Sequence, residues 1–292
     1  MKNCKKSFIV ALIVLVMGQF LAPNKANSQI FEVGGSVGLS YYMGDINPRI
    51  PFMQSNLGWG VLMRYYDGTR WAFRVAYSNL QLNCSDKASG YRPERGLSFH
   101  TNVHDVAFLA EFNFFDYFTG SKRNRVSPYI FGGISLLMFN PKADDGTELC
   151  NILTDTNDDD LVDSNAQTEA KYRKVAASIP FGIGVKYSVS RKLGLAFEWR
   201  WHYAVTDWLD DCHGYYPRYK KTSDGELPNA VQYIDPTGFA ADENGENNKQ
   251  YVQRGNSSTN DWYGYLNFSI TYKFNLPSGD DCNKKERYKN YD

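Results

Sequence analysis

Apolar and polar residues alternate along most of this chain with a period of two, the repeat of a strand that has one apolar face. From Phe31 the odd positions run Phe31, Val33, Gly35, Val37, Leu39 and Tyr41, and the residues between them are mostly small or polar. The pattern returns at Leu57, Trp59, Val61, Met63 and Tyr65. After the tight-turn signal Asp67-Gly68 it resumes at Trp71, Phe73, Val75 and Tyr77. Further runs cover 104–114, 174–187, 193–205 and 262–274, while 128–139 is apolar on both faces and leaves its facing open. These runs predict eight strands and almost no helix.

A soluble sandwich alternates in the same way, so length and connection decide the class. The strands are about 10 residues or longer, enough to cross a bilayer at a tilt. Aromatics close the apolar faces, where interfacial girdles sit in membrane barrels. Short connections at 67–70, 115–126 and 188–192 alternate with long ones at 43–56, 83–98, 140–173 and 206–261. The faces opposite the apolar ones carry charges of both signs: Arg64, Arg74, Lys186, Arg200 and Lys273 with Glu32, Asp105, Glu111 and Glu198. A soluble core rejects so many charges, whereas a lumen in which they pair accepts them. The expected fold is therefore all-β, an eight-stranded antiparallel up-and-down transmembrane β-barrel with long extracellular loops. The expected lumen ion pairs involve Arg64, Arg74, Glu111, Glu198, Arg200 and His202. Eight strands enclose a space that side chains fill, so no open pore is expected.

The N-terminus changes the charge. Lys2, Lys5 and Lys6 precede an apolar stretch from Phe8 to Met17, and Ala26 and Ser28 supply small residues for cleavage before Gln29. This reads as a secretory signal peptide over 1–28, leaving a barrel over 29–276 and a C-terminal tail over 277–292. The whole chain balances 32 Lys plus Arg against 32 Asp plus Glu. Without residues 1–28 the balance is 28 against 32, a net charge of −4. No basic excess or stripe points to nucleic acid. The mean hydropathy of −0.49 looks soluble, yet 15% of residues are aromatic, as expected when apolar residues occupy only alternate positions. An even strand number places both termini on the periplasmic side of an outer membrane.

Five strings carry a family resemblance: Gly34 to Pro48 (GGSVGLSYYMGDINP), Pro128 to Ile134 (PYIFGGI) with Phe139 to Lys142 (FNPK), Ile179 to Tyr187 (IPFGIGVKY), and Thr206 to Asp211 (TDWLDD). Together they span nearly all of the expected barrel. The chain resembles the PorG-like outer-membrane barrels of Bacteroidetes, which are associated with the type IX secretion system. That resemblance implies a non-enzymatic structural part of a secretion machine, without a cofactor. Its implied partners are outer-membrane lipid and a periplasmic ring lipoprotein with its partner subunit. The tail, with Cys282, Lys284, Lys285 and Arg287, is then the natural contact strip. Two other functions compete: a surface adhesion barrel acting through the loops, where Tyr215, Tyr216 and Tyr219 lie, and an outer-membrane lipid-modifying enzyme.

Three further features bear on chemistry. Cys84, Cys150 and Cys212 fall in expected external loops and Cys282 in the tail, so two external cysteines are expected to pair. Cys150–Cys212 comes first because their loops are longest. Asp155, Asn157, Asp159 and Asp163 occupy positions 1, 3, 5 and 9 of a calcium-loop pattern, but Asp160 stands where Gly is wanted and Ala166 where Glu is wanted. His202 shares a strand face with Glu198, which invites a Ser–His–acid reading; ion pairing in the lumen is the simpler expectation.

Overall fold

The computed structural model describes residues 30–121, 124–156, 161–162 and 172–275. Ten strands occur in chain order: β1 (Ile30–Met43), β2 (Asn56–Asp67), β3 (Trp71–Ser85), β4 (Ser98–Asn113), β5 (Val126–Met138), β6 (Leu161–Val162), β7 (Val175–Ser188), β8 (Leu193–Ala204), β9 (Arg218–Tyr219) and β10 (Trp262–Asn275). Eight of them close a barrel in the order β1-β10-β8-β7-β5-β4-β3-β2. Every neighbouring pair in it is antiparallel, and β1 closes on β10 through a register running from Ile30↔Asn275 to Met43↔Trp262. Closure satisfies the backbone polar groups that a bilayer leaves without water, so this is a transmembrane barrel of the expected class. The expected signal peptide at 1–28 and the tail at 277–292 lie outside the described residues.

The facing matches the alternation. Val37, Leu57 and Ile134 are 58%, 68% and 68% exposed on the outer wall, whereas Arg64, Arg74, Glu111 and Glu198 are buried inside. The two-faced run resolves as β5, which turns Tyr129, Phe131, Ser135 and Leu137 inward and Ile130, Ile134, Leu136 and Met138 outward.

The strands on either side of the expected loop 83–98 run longer than the alternation indicated. Residues 81–85 and 98–103 continue β3 and β4 as a two-stranded ribbon, from Gln81↔Asn102 to Ser85↔Ser98. The ribbon rises beyond the last β2 and β5 partners, which stop at Leu80 and His104. Cys84 therefore lies on β3 and not in a loop. Along β3 the inward positions change from Arg74 and Ser78 to Leu80, Leu82 and Cys84, while the outward ones change from Val75 and Tyr77 to Gln81 and Asn83. β4 changes in the same way between Val106 and Asn102. The phase is continuous and only its polarity inverts, which is the signature of a strand leaving lipid for water.

The long connections fold over this ribbon as a cap. Ile46, Leu97, Phe99, Phe139, Leu149 and Leu209 pack with Leu80, Leu82 and Tyr42 in one apolar cluster. Tyr216, Tyr219, Val231, Ile234 and Ala240 form a second cluster within the longest connection. β6 pairs in parallel with β9, joining the two longest connections.

Candidate functional site

The barrel interior is a closed network of charges. Glu111 on β4 meets Arg64 Nε at 2.9 Å, Arg74 Nε at 2.8 Å and Lys186 Nζ at 2.5 Å. Glu32 holds Arg64 Nη1 at 2.9 Å, and Arg200 Nη2 reaches Glu198 at 3.0 Å. Arg74 and Tyr129 both donate to Glu198. Alternation aims these side chains inward from seven strands, so all six expected lumen residues fall in one region. Five of them share the central network, and His202 lies toward the long-loop end. The twelve-residue turn adds what sequence reading missed: Tyr117 and Thr119 tuck into the turn end of the barrel, and Thr119 donates to Glu32. Lys186 Nζ lies 4.3 Å from the centroid of the Tyr129 ring and 5.1 Å from that of Tyr66. A buried carboxylate faced by several cations is tolerable where a single unpaired one is not. With these side chains buried and packed, the lumen is plugged.

His202 sits nearer the long-loop end among Ser178, Asp105 and Tyr263. Its Nδ1 faces both Ser178 Oγ at 3.3 Å and Asp105 Oδ1 at 3.7 Å, and its ring stacks on Tyr263 with centroids 4.3 Å apart. A Ser–His–acid relay needs the serine on one ring nitrogen and the acid on the other. Here both crowd one nitrogen and His202 and Asp105 are fully buried, so this trio does not have relay geometry.

At the mouth, the two most distinctive strings converge. Tyr42 Oη donates to Asp210 Oδ2 at 2.5 Å and to Asp261 Oδ1 at 2.9 Å. Asp210 also accepts from the Cys212 amide, and Asp261 from the Leu209 amide. Asp207 meets His213 Nδ1 at 2.7 Å. Gly44 is required here: a Cβ on it would fall 2.0 Å from Tyr42 Oη and 2.2 Å from Asp261 Oδ1. Burial pushes the Asp207 carboxyl up to about 9, with Asp45 and Asp155 adding to the effect. Burial first, then the neighbouring carboxylates, holds Asp210 and Asp261 well above the ordinary range. Asp210 and Asp261 are thus bridged by the Tyr42 hydroxyl, and Asp207 is held by His213.

Two expectations need correction or relocation. The Cys150–Cys212 disulfide is not formed: both are buried thiols, with Cys150 Sγ donating to Asn151 Oδ1 at 3.3 Å and Cys212 Sγ to the Arg254 carbonyl at 3.2 Å. The two connections are joined instead by the β6–β9 pairing and by hydrogen bonds, so no crosslink is needed to hold them. Asp155, first of the calcium candidates, is committed to the cap: it accepts from the His213 and Gly214 amides at 2.8 and 2.7 Å and lies 3.4 Å from Arg254. Asn157, Asp159 and Asp163 lie outside the described residues, as do Cys282, Lys284, Lys285 and Arg287. Among the described residues no group of three or more His, Cys, Asp or Glu side chains is arranged to hold a metal ion. Arg95 is a buried residue that the alternation does not flag. It pairs with Asp86 at 2.6 Å and donates to the backbone carbonyls of Arg254 and Asp45, tying the ribbon to the first and last long connections.

The chain belongs to the family described as a domain of unknown function (DUF6089), which matches residues 6–242. No curated protein matches it. Among solved structures it is similar to Neisserial surface protein A, at 13% identity over 86% of this chain and 100% of that one, with a TM-score of 0.38. It is also similar to the outer membrane protein OprG from Pseudomonas aeruginosa (10% identity, 87% and 98% covered, TM-score 0.37). The N-terminal β-barrel domain of Pseudomonas aeruginosa OprF is similar to the same degree (10%, 85% and 98%, TM-score 0.37). The fold stated above rests on the strand pairing itself.

Proposed function

We propose that this member of the DUF6089 family is a plugged outer-membrane barrel that acts as a structural component of the type IX secretion system, anchoring a periplasmic ring. The observation that carries the anchoring role is the filled lumen: Glu32, Glu111 and Glu198 are locked by Arg64, Arg74, Lys186 and Arg200 across the barrel. Such a barrel holds a position in the membrane and passes no solute. The secretion assignment rests on the resemblance carried by the strings Gly34 to Pro48 and Thr206 to Asp211. The two strings meet at Tyr42 and Asp210, so they act as one structural unit.

In this reading the chemistry is non-enzymatic and both termini face the periplasm. Cys282, Lys284, Lys285 and Arg287 then contact a ring lipoprotein and its partner subunit, with Cys282 available for an intermolecular disulfide. Deletion of the gene tests the reading: export of type IX cargo should fall, and ring subunits should co-purify with the solubilised wild-type barrel. Intact export with no co-purifying ring subunit ends it. If trimming the external loops then abolishes surface attachment instead, the adhesion reading replaces it. A non-reducing gel in which Cys282→Ser removes no band shift ends the disulfide part alone.

A further inference from the structure

The outer wall carries a cavity at the level where lipid gives way to water. It has a volume of about 510 Å3 and lies beside the β1–β10 seam, under the first, second and fourth long connections. Its floor is apolar and belongs to the lipid-facing wall. Tyr41, Trp201 and Trp262 share the outward face with Leu39 and Phe197, by strand alternation. Tyr41 lies flat across Gly264, where a Cβ would fall 2.1 Å from its ring. Its hydroxyl accepts from Trp199 Nε1 at 2.9 Å. Phe52 closes over it at 4.4 Å between centroids, from a left-handed backbone (φ 63°) that a bulky residue seldom adopts. Outward aromatics at strand ends mark the membrane interface, and the exposed side chains of Leu39 and Val37 continue the floor toward the bilayer centre.

The upper wall is cationic. Arg254 is 2% exposed and lines the cavity. Its Nη1 is committed to the Asp211 carbonyl and Asp155, so it adds positive charge behind the wall. Arg92, also in the wall, lies against the face of Tyr91 at 5.9 Å with no carboxylate in ion-pair range among the described residues. Arg49 lies at 5.1 Å from the same ring. Asp45 is the acidic member of the lining, and its Oδ2 is occupied by the Asn256 amide at 2.5 Å. Burial raises the Asp45 carboxyl, which weakens its opposition to an anion.

We propose that this cavity binds the head and first acyl segment of a phosphorylated membrane lipid, with Arg92 on the phosphate and Trp201 and Trp262 against the chain. The volume lies within the range of small-molecule sites. Apolar floor and cationic wall meet at the depth where a phospholipid changes from chain to head. The inference rests on the membrane placement of the barrel and is independent of the secretion role.

The test uses the purified full chain in maltoside micelles, with binding followed by native mass spectrometry. The probes are dimyristoyl phosphatidic acid, dimyristoylglycerol and inorganic phosphate. Saturable binding of phosphatidic acid is expected, weaker by about tenfold for dimyristoylglycerol and for Arg92→Gln, the scale of one charge-assisted hydrogen bond. Trp262→Leu should weaken it while retaining the preference for phosphate, and free phosphate should not compete at matched concentration. Equal binding of the two lipids, no effect of Arg92→Gln, or full competition by free phosphate overturns the proposal. A heat-modifiable band on gels, shown by wild type and both variants, separates that outcome from failure of the barrel to fold. A chain that stays monodisperse without detergent overturns the membrane placement itself.

Discussion

Replacing Glu111 by Gln tests whether the lumen network holds the barrel or merely fills it. The carboxylate touches Arg64, Arg74 and Lys186 at 2.9, 2.8 and 2.5 Å, with every partner at most 1% exposed. At an effective dielectric of about 20, one contact near 2.8 Å is worth about 6 kcal/mol of gross attraction. Desolvation of both partners cancels most of that, and the measured cost of breaking a buried pair is about 3–5 kcal/mol. Gln keeps the shape and one carbonyl acceptor but leaves three cations facing Glu32 and Glu198 alone. A loss of about 3–5 kcal/mol is therefore expected in urea unfolding from phospholipid vesicles, followed by tryptophan fluorescence. Asp116→Asn is the control. It breaks the Arg70–Asp116 contact of 2.6 Å, whose ends are 47% and 55% exposed, and should leave the midpoint unchanged. Pairing Glu111→Gln with Lys186→Met removes a cation with the carboxylate and should recover part of the loss. Equal shifts for Glu111→Gln and Asp116→Asn would refute the reasoning, since charge burial would then carry no weight.

Four other outcomes follow from the same geometry. Tyr42→Phe removes the hydroxyl that bridges Asp210 and Asp261 and should loosen the cap by about 1–3 kcal/mol, read as faster proteolysis of the long connections from an intact barrel. The cap should also weaken as pH rises: Asp207, Asp210 and Asp261 bind protons more tightly folded than unfolded, so their contribution is full below about pH 4 and is lost as pH rises, for Asp207 through about 9. Acrylamide quenching of Trp208, which stacks on Tyr172 at 4.6 Å, should increase over that window, and Asp210→Asn should flatten the change. Gly264→Ala drives a Cβ into the Tyr41 ring and should cost about 1–3 kcal/mol, seen as a lower heat-modification temperature. Planar bilayers containing the wild-type chain should show no conductance steps, and any steady channel would contradict a plugged lumen.

The barrel was legible in the sequence because one physical rule governs every strand: a side chain faces lipid or lumen, and the period is two. That rule placed Arg64, Arg74, Glu111, Glu198 and Arg200 in one space without any knowledge of register. It stopped short of 83–85 and 98–103 because an alternating run was expected to keep apolar residues outward. Leu80, Leu82 and Phe99 turn apolar residues inward instead, since above the membrane the outer face meets water. Tyr117 and Thr119 were invisible for another reason: a turn has no period, and nothing in Asp116 to Gly120 says that it folds up into the barrel. The cap was hidden by length. Its contacts join residues far apart in the chain, such as Arg95 with Arg254 and Thr154 with Asp211, and local spacing carries no information on such pairs.

Buried carboxylates are handled in two different ways along the axis of this molecule. In the lumen Glu32, Glu111 and Glu198 each meet at least one cation within the chain. At the mouth burial and neighbouring carboxylates raise Asp207, Asp210 and Asp261, of which Asp210 and Asp261 are joined through Tyr42, so this cluster favours the protonated form. The first arrangement is paired within the chain, and the second exchanges protons with the medium. A change of pH at the long-loop face is therefore expected to act on the cap more than on the plug. Any partner or lipid that reads the cap would feel that change, while a partner held at the turn end would not. Measuring binding at the two ends of the barrel at pH 5 and pH 9 separates those cases, and equal pH dependence at both ends would show that cap and plug are one cooperative unit.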